Sequence, residues 1–270
     1  IPGIRDAFVT DWASEKTRDY SMAMYVMDIP QWSEQETRLF GDEDKSLIAS
    51  ASYAWPDVRE TAEQFESRAI DNNYVATYFP DVYIPDPNTD QSVRVPPSVV
   101  VMGALSYNDQ VAYPWFAPAG FNRGGLGTVT NTDVRLTTDD RDTLYDARIN
   151  PIANFSNGSF VVFGQKTCQL RQSALDRVNV RRMMLELKRQ VTTVANRILF
   201  EPNNAATRAR FVGLISPLLA AIQTQQGVES WRVVMDDTNN SVEDVENNRL
   251  NGRIIVVPTR AIEFIAIDFI

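Results

Sequence analysis

Histidine is absent from the sequence, and cysteine occurs once, at Cys168. A Ser-His-Asp triad, a Cys-His dyad and a histidine general base are therefore all impossible within this polypeptide. A zinc site of the Cys/His type is excluded on the same ground, and no disulfide can staple the fold. No uninterrupted apolar run approaches the about 18 residues that mark a membrane-spanning helix, so no membrane insertion is expected. The N-terminus lacks the basic, then apolar, then small-residue order of a secretory signal. Ile1 is not a start methionine and Ile270 sits in an apolar run, so both ends are expected to be cut points in a longer chain.

What is present is the composition of a soluble globular protein, 44% hydrophobic and 23% charged over 270 residues. That length allows one large domain or two ordinary ones. The net charge of −9 is uneven. Residues 1–150 hold 12 Lys/Arg against 24 Asp/Glu, and residues 151–270 hold 14 against 11. An acidic chain of this kind disfavours nucleic acid, which needs a basic surface. The asymmetry suits copies packed acidic end to basic end, or an ordinary solvated acidic surface.

Periodicity predicts a strand over 20–29 stopped by Pro30, a helix over 56–70 and a strand over 74–79. A proline-broken loop through Thr89-Asp90 and a helix from Pro97 to Tyr107 follow. Residues 113–132, rich in Pro, Gly and Asn, read as an ordered loop whose aromatics need burial. Thr138 is expected to cap a short helix that Asn150-Pro151 ends. A long amphipathic helix then carries Met184, Leu187, Val191, Val194 and Ile198 on one stripe. After Pro202 a second helix has Phe211, Leu214, Ile215, Leu218, Leu219 and Ile222 on one face, a kink at Pro217 and Gly227 at its close. Strand candidates are 231–235, 253–257 and 261–269.

Two features invite a chemical reading. The Gly-rich stretch from Asn122 to Thr128 lacks the Lys and Ser/Thr placement of a phosphate loop and the spacing of a dinucleotide fingerprint, so it reads as a turn with positive φ angles. The acids Asp139-Asp140 with Asp142, and Asp236-Asp237, are the carboxylate pairs a histidine-free hydrolase would use. As a helix N-terminus and a solvated turn they need no such role.

Taken in order, several phrases resemble the C-terminal half of contractile-tail sheath proteins of T-even-like bacteriophages. They are Pro96-Pro97-Ser98, residues 114–120, Arg148-Ile149-Asn150-Pro151-Ile152, residues 161–167, Asp176 to Arg182, Phe200-Glu201-Pro202-Asn203-Asn204, Trp231 to Asp236 with Thr238-Asn239-Asn240, and residues 261–269. The resemblance is strong from about residue 95 onward.

It implies an α/β central sheath domain over 1–165, subtilisin-like in shape but without catalytic residues, and an α+β C-terminal sheath domain over 166–270. The function it implies is structural. Subunits would form six-membered rings stacked around a tail tube and contract to drive the tube through the host envelope. Partners would be other sheath subunits, the tube, and baseplate and terminator proteins, in a virion tail assembled in the host cytoplasm. No enzyme activity, cofactor or metal is implied. The basic residues Arg181, Arg182, Lys188 and Arg189 become tube-facing candidates. Glu263, Phe264, Ile265, Ala266, Ile267, Asp268 and Phe269 become a strand pairing with neighbouring subunits, or else a doubly buried central strand. The alternatives are a sheath of a bacterial contractile device, such as an R-type bacteriocin or injection system, a histidine-free hydrolase, or a passive adaptor in which 1–95 is adhesive.

Overall fold

A computed structural model describes residues 2–31, 56–89, 91–155 and 158–263. The chain forms two compact units, 1–182 and 183–270.

The first unit is built on a four-stranded sheet of order β1-β2-β6-β7: β1 Tyr25–Met27, β2 Val75–Phe79, β6 Ile149–Asn154 and β7 Phe160–Val162. The first three run parallel and β7 is antiparallel. Every residue of β2 is buried, as expected of a strand covered on both faces. On one face α2 (Val58–Ser67) and α5 (Thr138–Asp146) bring Val58, Ala62, Phe65 and Leu144 onto Met27, Val75, Phe79 and Ile149. On the other, α3 (Pro97–Val111) brings Val100, Val101 and Ala104 onto Ala76, Tyr78 and Ile152. A single helical turn, α4 (Gly120–Arg123), follows α3 in the chain. Pro96 provides no cap for α3. Asp28, just after β1, accepts bonds from the Ser98 backbone and hydroxyl instead, and from the Gly3 amide.

Several local expectations shift. Residues 7–20 form a helix, α1 (Ala7–Tyr20), and only Tyr25–Met27 of the stretch 20–29 is a strand. The loop after Pro80 contains β3 (Val82–Pro85), which pairs with β4 (Ser92–Val95) and with the two-residue β5 (Asn131–Thr132). Pro85 ends that strand rather than preventing it. The cap of α5 is Thr137, whose hydroxyl accepts from the Asp140 amide while Asp140 accepts back, a reciprocal box one residue before the expected start. Asn150-Pro151 lies inside β6 and does not end the helix. Pro151 falls where the pairing of β6 passes from β2, ending at Phe79, to β7, starting at Ile152, and its carbonyl accepts from Phe163.

Residues 166–182, grouped by sequence with the C-terminal domain, are tied into the first unit. The Thr167 amide bonds Asp176, the Cys168 amide bonds Val75 of β2, and Val178 bonds Gln165. The division falls between Arg182 and Met183, within α6 (Val178–Ala195).

The second unit packs α7 (Ala205–Thr224) on a two-stranded antiparallel sheet, β8 (Val228–Val234) with β9 (Arg253–Pro258). The short helix α8 (Val242–Glu246) lies between those strands in sequence. The buried face of α7 is Phe211, Ile215, Leu219 and Ile222, whereas Leu214 is exposed. On α6 and the turn after it Met183, Leu187, Val194 and Ile198 are buried, and Met184 is only half-buried. Helix α7 runs on through Pro217. Among the described residues it alone is long and apolar enough, by composition, to cross a membrane. Its arginines, Arg208 and Arg210, interrupt the apolar run near its start.

Candidate functional site

Four basic residues on α6 are the sequence's strongest functional candidates, and the fold treats them as two pairs. Arg181 is 7% exposed and its guanidinium lies 4.0 Å from the centre of the Tyr74 ring, with a hydrogen bond to Asn73. Burial pushes its pKa down, with Tyr74 opposing. Arg182 makes a two-pronged bond to Asp109 of α3 at 2.6 and 2.7 Å. Both are committed inside the first unit. Lys188 and Arg189, two turns on, are exposed, and Arg189 bonds Glu186 at 2.7 and 2.9 Å. Those bonds from Arg189 hold the Glu186 carboxyl below the usual carboxylate range. The structure therefore does not gather the four into one basic patch.

Ala261, Ile262 and Glu263 are exposed and outside any strand, so over these three residues the doubly buried reading fails. Phe264, Ile265, Ala266, Ile267, Asp268 and Phe269 lie outside the described residues.

Three of the candidate acids have architectural roles. Asp140 closes the α5 capping box, Asp236 accepts from the Thr238 amide and hydroxyl, and Asp237 pairs with Arg208. Bonds from Thr238 hold Asp236 below its ordinary pKa. Among the described residues no group of His, Cys, Asp or Glu gathers to hold a metal. The Gly-rich loop is also structural, but for a different reason than positive φ. Gly124 has φ −96°, and a Cβ there would lie 2.7 Å from the Ala119 backbone. Its carbonyl accepts from Val162 at 2.8 Å, and Leu126 bonds Phe160, so the loop lengthens the edge of β7.

Two of the phrases that carry the resemblance hold such joints. Asn150, fully buried, donates to the carbonyls of Thr77 and Lys166 at 2.9 and 2.8 Å and accepts from the Lys166 amide at 2.6 Å. A Cβ on Gly164 would come 2.9 Å from the Asn150 Oδ1, so the glycine of that phrase makes room for the asparagine. Asn240 plays the same part in the second unit. It donates to the carbonyls of Asp236 and Asn251 and accepts from the Asn251 amide at 2.7 Å. Sequence reasoning missed two features. One is an apolar cleft of about 380 Å³ in the second unit, lined by Ile198, Phe211, Met235, Leu250 and Ile254. The other is the exposed aromatic face of α1, where Phe8 is 82% and Trp12 57% exposed. The i,i+4 spacing of Phe8 and Trp12 on one side of the helix was its available signal.

Residues 171–270 match the family described as phage tail sheath C-terminal domain. The tail sheath protein of Vibrio phage KVP40 is 39% identical over 201 residues, covering 74% of this chain and 29% of that protein. The tail sheath protein of Enterobacteria phage T4 is 32% identical over 202 residues, covering 75% and 30%. The chain thus spans under a third of the length of these relatives. In fold it is similar to the anti-feeding prophage helical sheath in its contracted state, with TM-score 0.68, 21% identity and coverage of 96% of this chain and 73% of that one. It is also similar to the contracted sheath complex of an extracellular contractile injection system, with TM-score 0.69, 24% identity and coverage of 78% and 60%. In sequence, the last hundred residues of this chain match the tail sheath C-terminal domain, and about three quarters of the chain is similar to the tail sheath proteins of these phages.

Proposed function

We propose that this chain is the central and C-terminal part of a contractile tail sheath subunit. Copies stack as rings around a tail tube, and contraction drives the tube through the host envelope. The observation that carries the reading is the 39% identity to a phage tail sheath protein over three quarters of the chain. Fold similarity to contracted sheaths supports it. The role is mechanical: the chain has no histidine, and its paired acids serve as caps, turn ligands and ion-pair partners. Of the basic quartet, Lys188 and Arg189 are the exposed pair, and they are the ones that would meet a tube surface. Weak, exposed ion pairs of roughly 0–1 kcal/mol each suit a sleeve that must slide off its tube. The segment from Glu263 to Phe269 is the proposed strand-exchange arm, joined to a neighbour's sheet by backbone hydrogen bonds. Helix α7, packed on β8, is a helix of the domain rather than a membrane anchor.

The sheath of a bacterial injection device is the second reading, favoured by the fold neighbours. The closer sequence identities are to phage proteins. Electron microscopy of the full-length protein tests the proposal. Tubular polymers with a ringed repeat are expected, and particles that stay monomeric with or without tail tubes overturn it.

A further inference from the structure

Helix α1 joins the first unit through polar groups. Its buried residues are Thr10, at 0% exposure, and Ser14, at 4%, while Phe8, Trp12 and Tyr20 are exposed. Among the described residues, neither apolar cluster of that unit takes a member from α1. What holds the segment is a line of hydrogen bonds and ion pairs. The Gly3 amide donates to Asp28 at 2.8 Å, and Arg5 donates to both carboxylate oxygens of Asp81 at 2.6 Å. Arg68 donates to the Thr10 hydroxyl and to Asp11, both at 2.6 Å, and Asn72 donates to the carbonyl and hydroxyl of Ser14 at 2.8 and 2.9 Å.

The rest of the unit is arranged to survive the loss of these bonds. Asp28 keeps the Ser98 amide and hydroxyl, at 3.1 and 2.6 Å. Asp81 keeps Gln31 at 2.6 Å and Arg94 at 3.1 Å, and Arg94 in turn holds Asp133. The Asn72 Oδ1 stays bonded to the Tyr74 amide at 2.9 Å. Removing one partner of a buried charge is costly when the other is left alone, and neither Asp28 nor Asp81 is left alone here. Arg68, by contrast, gives up Thr10 and Asp11 together, which makes it the main catch. Beneath, Met27, Val75 and Phe79 pack with Phe65 of α2 and Leu144 of α5, so the departure of α1 uncovers none of that cluster's own contacts.

We infer that residues 3–20 form a clasp that opens and closes as one piece, with residues 21–24 as its tether to β1, while the four-stranded sheet and its other helices stay folded. A hydrogen bond traded for one to water changes stability little, whereas apolar burial is what makes an element costly to detach. Elements with few buried apolar contacts therefore open locally, well below global unfolding. Helix α2 is the contrast in the same unit, because it buries Val58, Ala62 and Phe65. The clasp is a conformational device of the first unit. It goes beyond the sheath reading, which does not depend on it.

Hydrogen–deuterium exchange read by mass spectrometry tests it, on the full-length protein kept dilute and unpolymerised. Backbone amides of residues 10–20 should exchange together, and at least about tenfold faster than those of α2 and β2. Arg68→Ala removes the main catch and should speed the α1 amides about tenfold more, with β2 unchanged. Asp11→Asn should act in the same direction, and because it alters the helix side alone it stays informative if Arg68→Ala disturbs α2. Exchange of α1 within about tenfold of α2 and β2 overturns the clasp and makes α1 an integral part of the unit. Variants that speed β2 as much as α1 overturn it for the same reason. Failure of both variants to alter α1 exchange overturns it as well, since something other than the polar latch then sets how the helix is held. Each of these outcomes leaves the sheath reading standing.

Discussion

Asn150 and Gln226 show how much a single position carries in this chain. Asn150 satisfies three backbone groups from two segments while fully buried. Removing its side chain leaves buried donors and acceptors without partners, at about 1–3 kcal/mol for each orphaned group. Asn150→Ala should therefore lower stability by about 3 kcal/mol in denaturant titration, and a loss under about 1 kcal/mol would show that water replaces the amide. At the end of α7 the left-handed residue is Gln226, with φ 63°, and not the glycine that follows it. The Gln226 amide bonds the Gln223 carbonyl, and the Gly227 amide reaches back to Ile222 at 2.9 Å. This is a Schellman closure with glutamine in the strained place. Left-handed backbone costs a non-glycine residue roughly 1–2 kcal/mol. Gln226→Gly should raise the stability of the second unit by about 1 kcal/mol in the same titration, and no gain would mean the side chain contributes contacts that offset the strain. Sequence alone pointed to Gly227 because glycine is the usual occupant, and the register of the final turn shifted the role by one.

Among elements, α6 is where periodicity is most informative and also most misleading. Amphipathic spacing finds the helix and its buried Leu187, Val194 and Ile198. It has no means of telling Arg181 and Arg182 from Lys188 and Arg189, because all four are equally cationic. The difference lies in partners distant in sequence, Tyr74 and Asp109. The pairs should separate on charge reversal. Arg181→Glu places a carboxylate in the buried site against Tyr74 and Asn73 and should cost about 3–5 kcal/mol of folding stability, whereas Arg182→Glu breaks a partly exposed pair with Asp109 and should cost about 1 kcal/mol. Lys188→Glu with Arg189→Glu should change stability by under about 1 kcal/mol, yet weaken attachment of the extended sheath to its tube; attachment of the unaltered protein should itself weaken as salt rises, and the difference between the two should shrink. Co-sedimentation with purified tubes, alongside thermal melts, checks this. Equal loss of tube binding and stability in both pairs would assign Lys188 and Arg189 to folding. Helix α1 escapes a search for core stripes for a related reason. Phe8 and Trp12 do sit one turn apart on one side of it, but that side faces outward.

For the whole molecule, the mixed helix-and-strand class, the long helices and the sheath resemblance were legible in the sequence, whereas α1, the sheet of β3, β4 and β5, and strand β6 were not. The legible features depend on residue type and local spacing: a strand-forming Val75–Phe79, and the Asn150-Pro151 and Phe200-Glu201-Pro202 phrases. What tertiary structure decided was where the chain divides and which charges face solvent. With the division at Arg182, the first unit holds 17 Lys/Arg against 25 Asp/Glu and the second 9 against 10. The excess of basic residues expected at the C-terminal end belongs to residues 151–182, which backbone bonds from Thr167, Cys168 and Val178 tie into the first unit. Acidic-to-basic packing of ends consequently loses its basis. Local periodicity carries information over three or four residues, whereas the burial of Arg181 and the outward turn of Phe8 and Trp12 are set by partners tens of residues away.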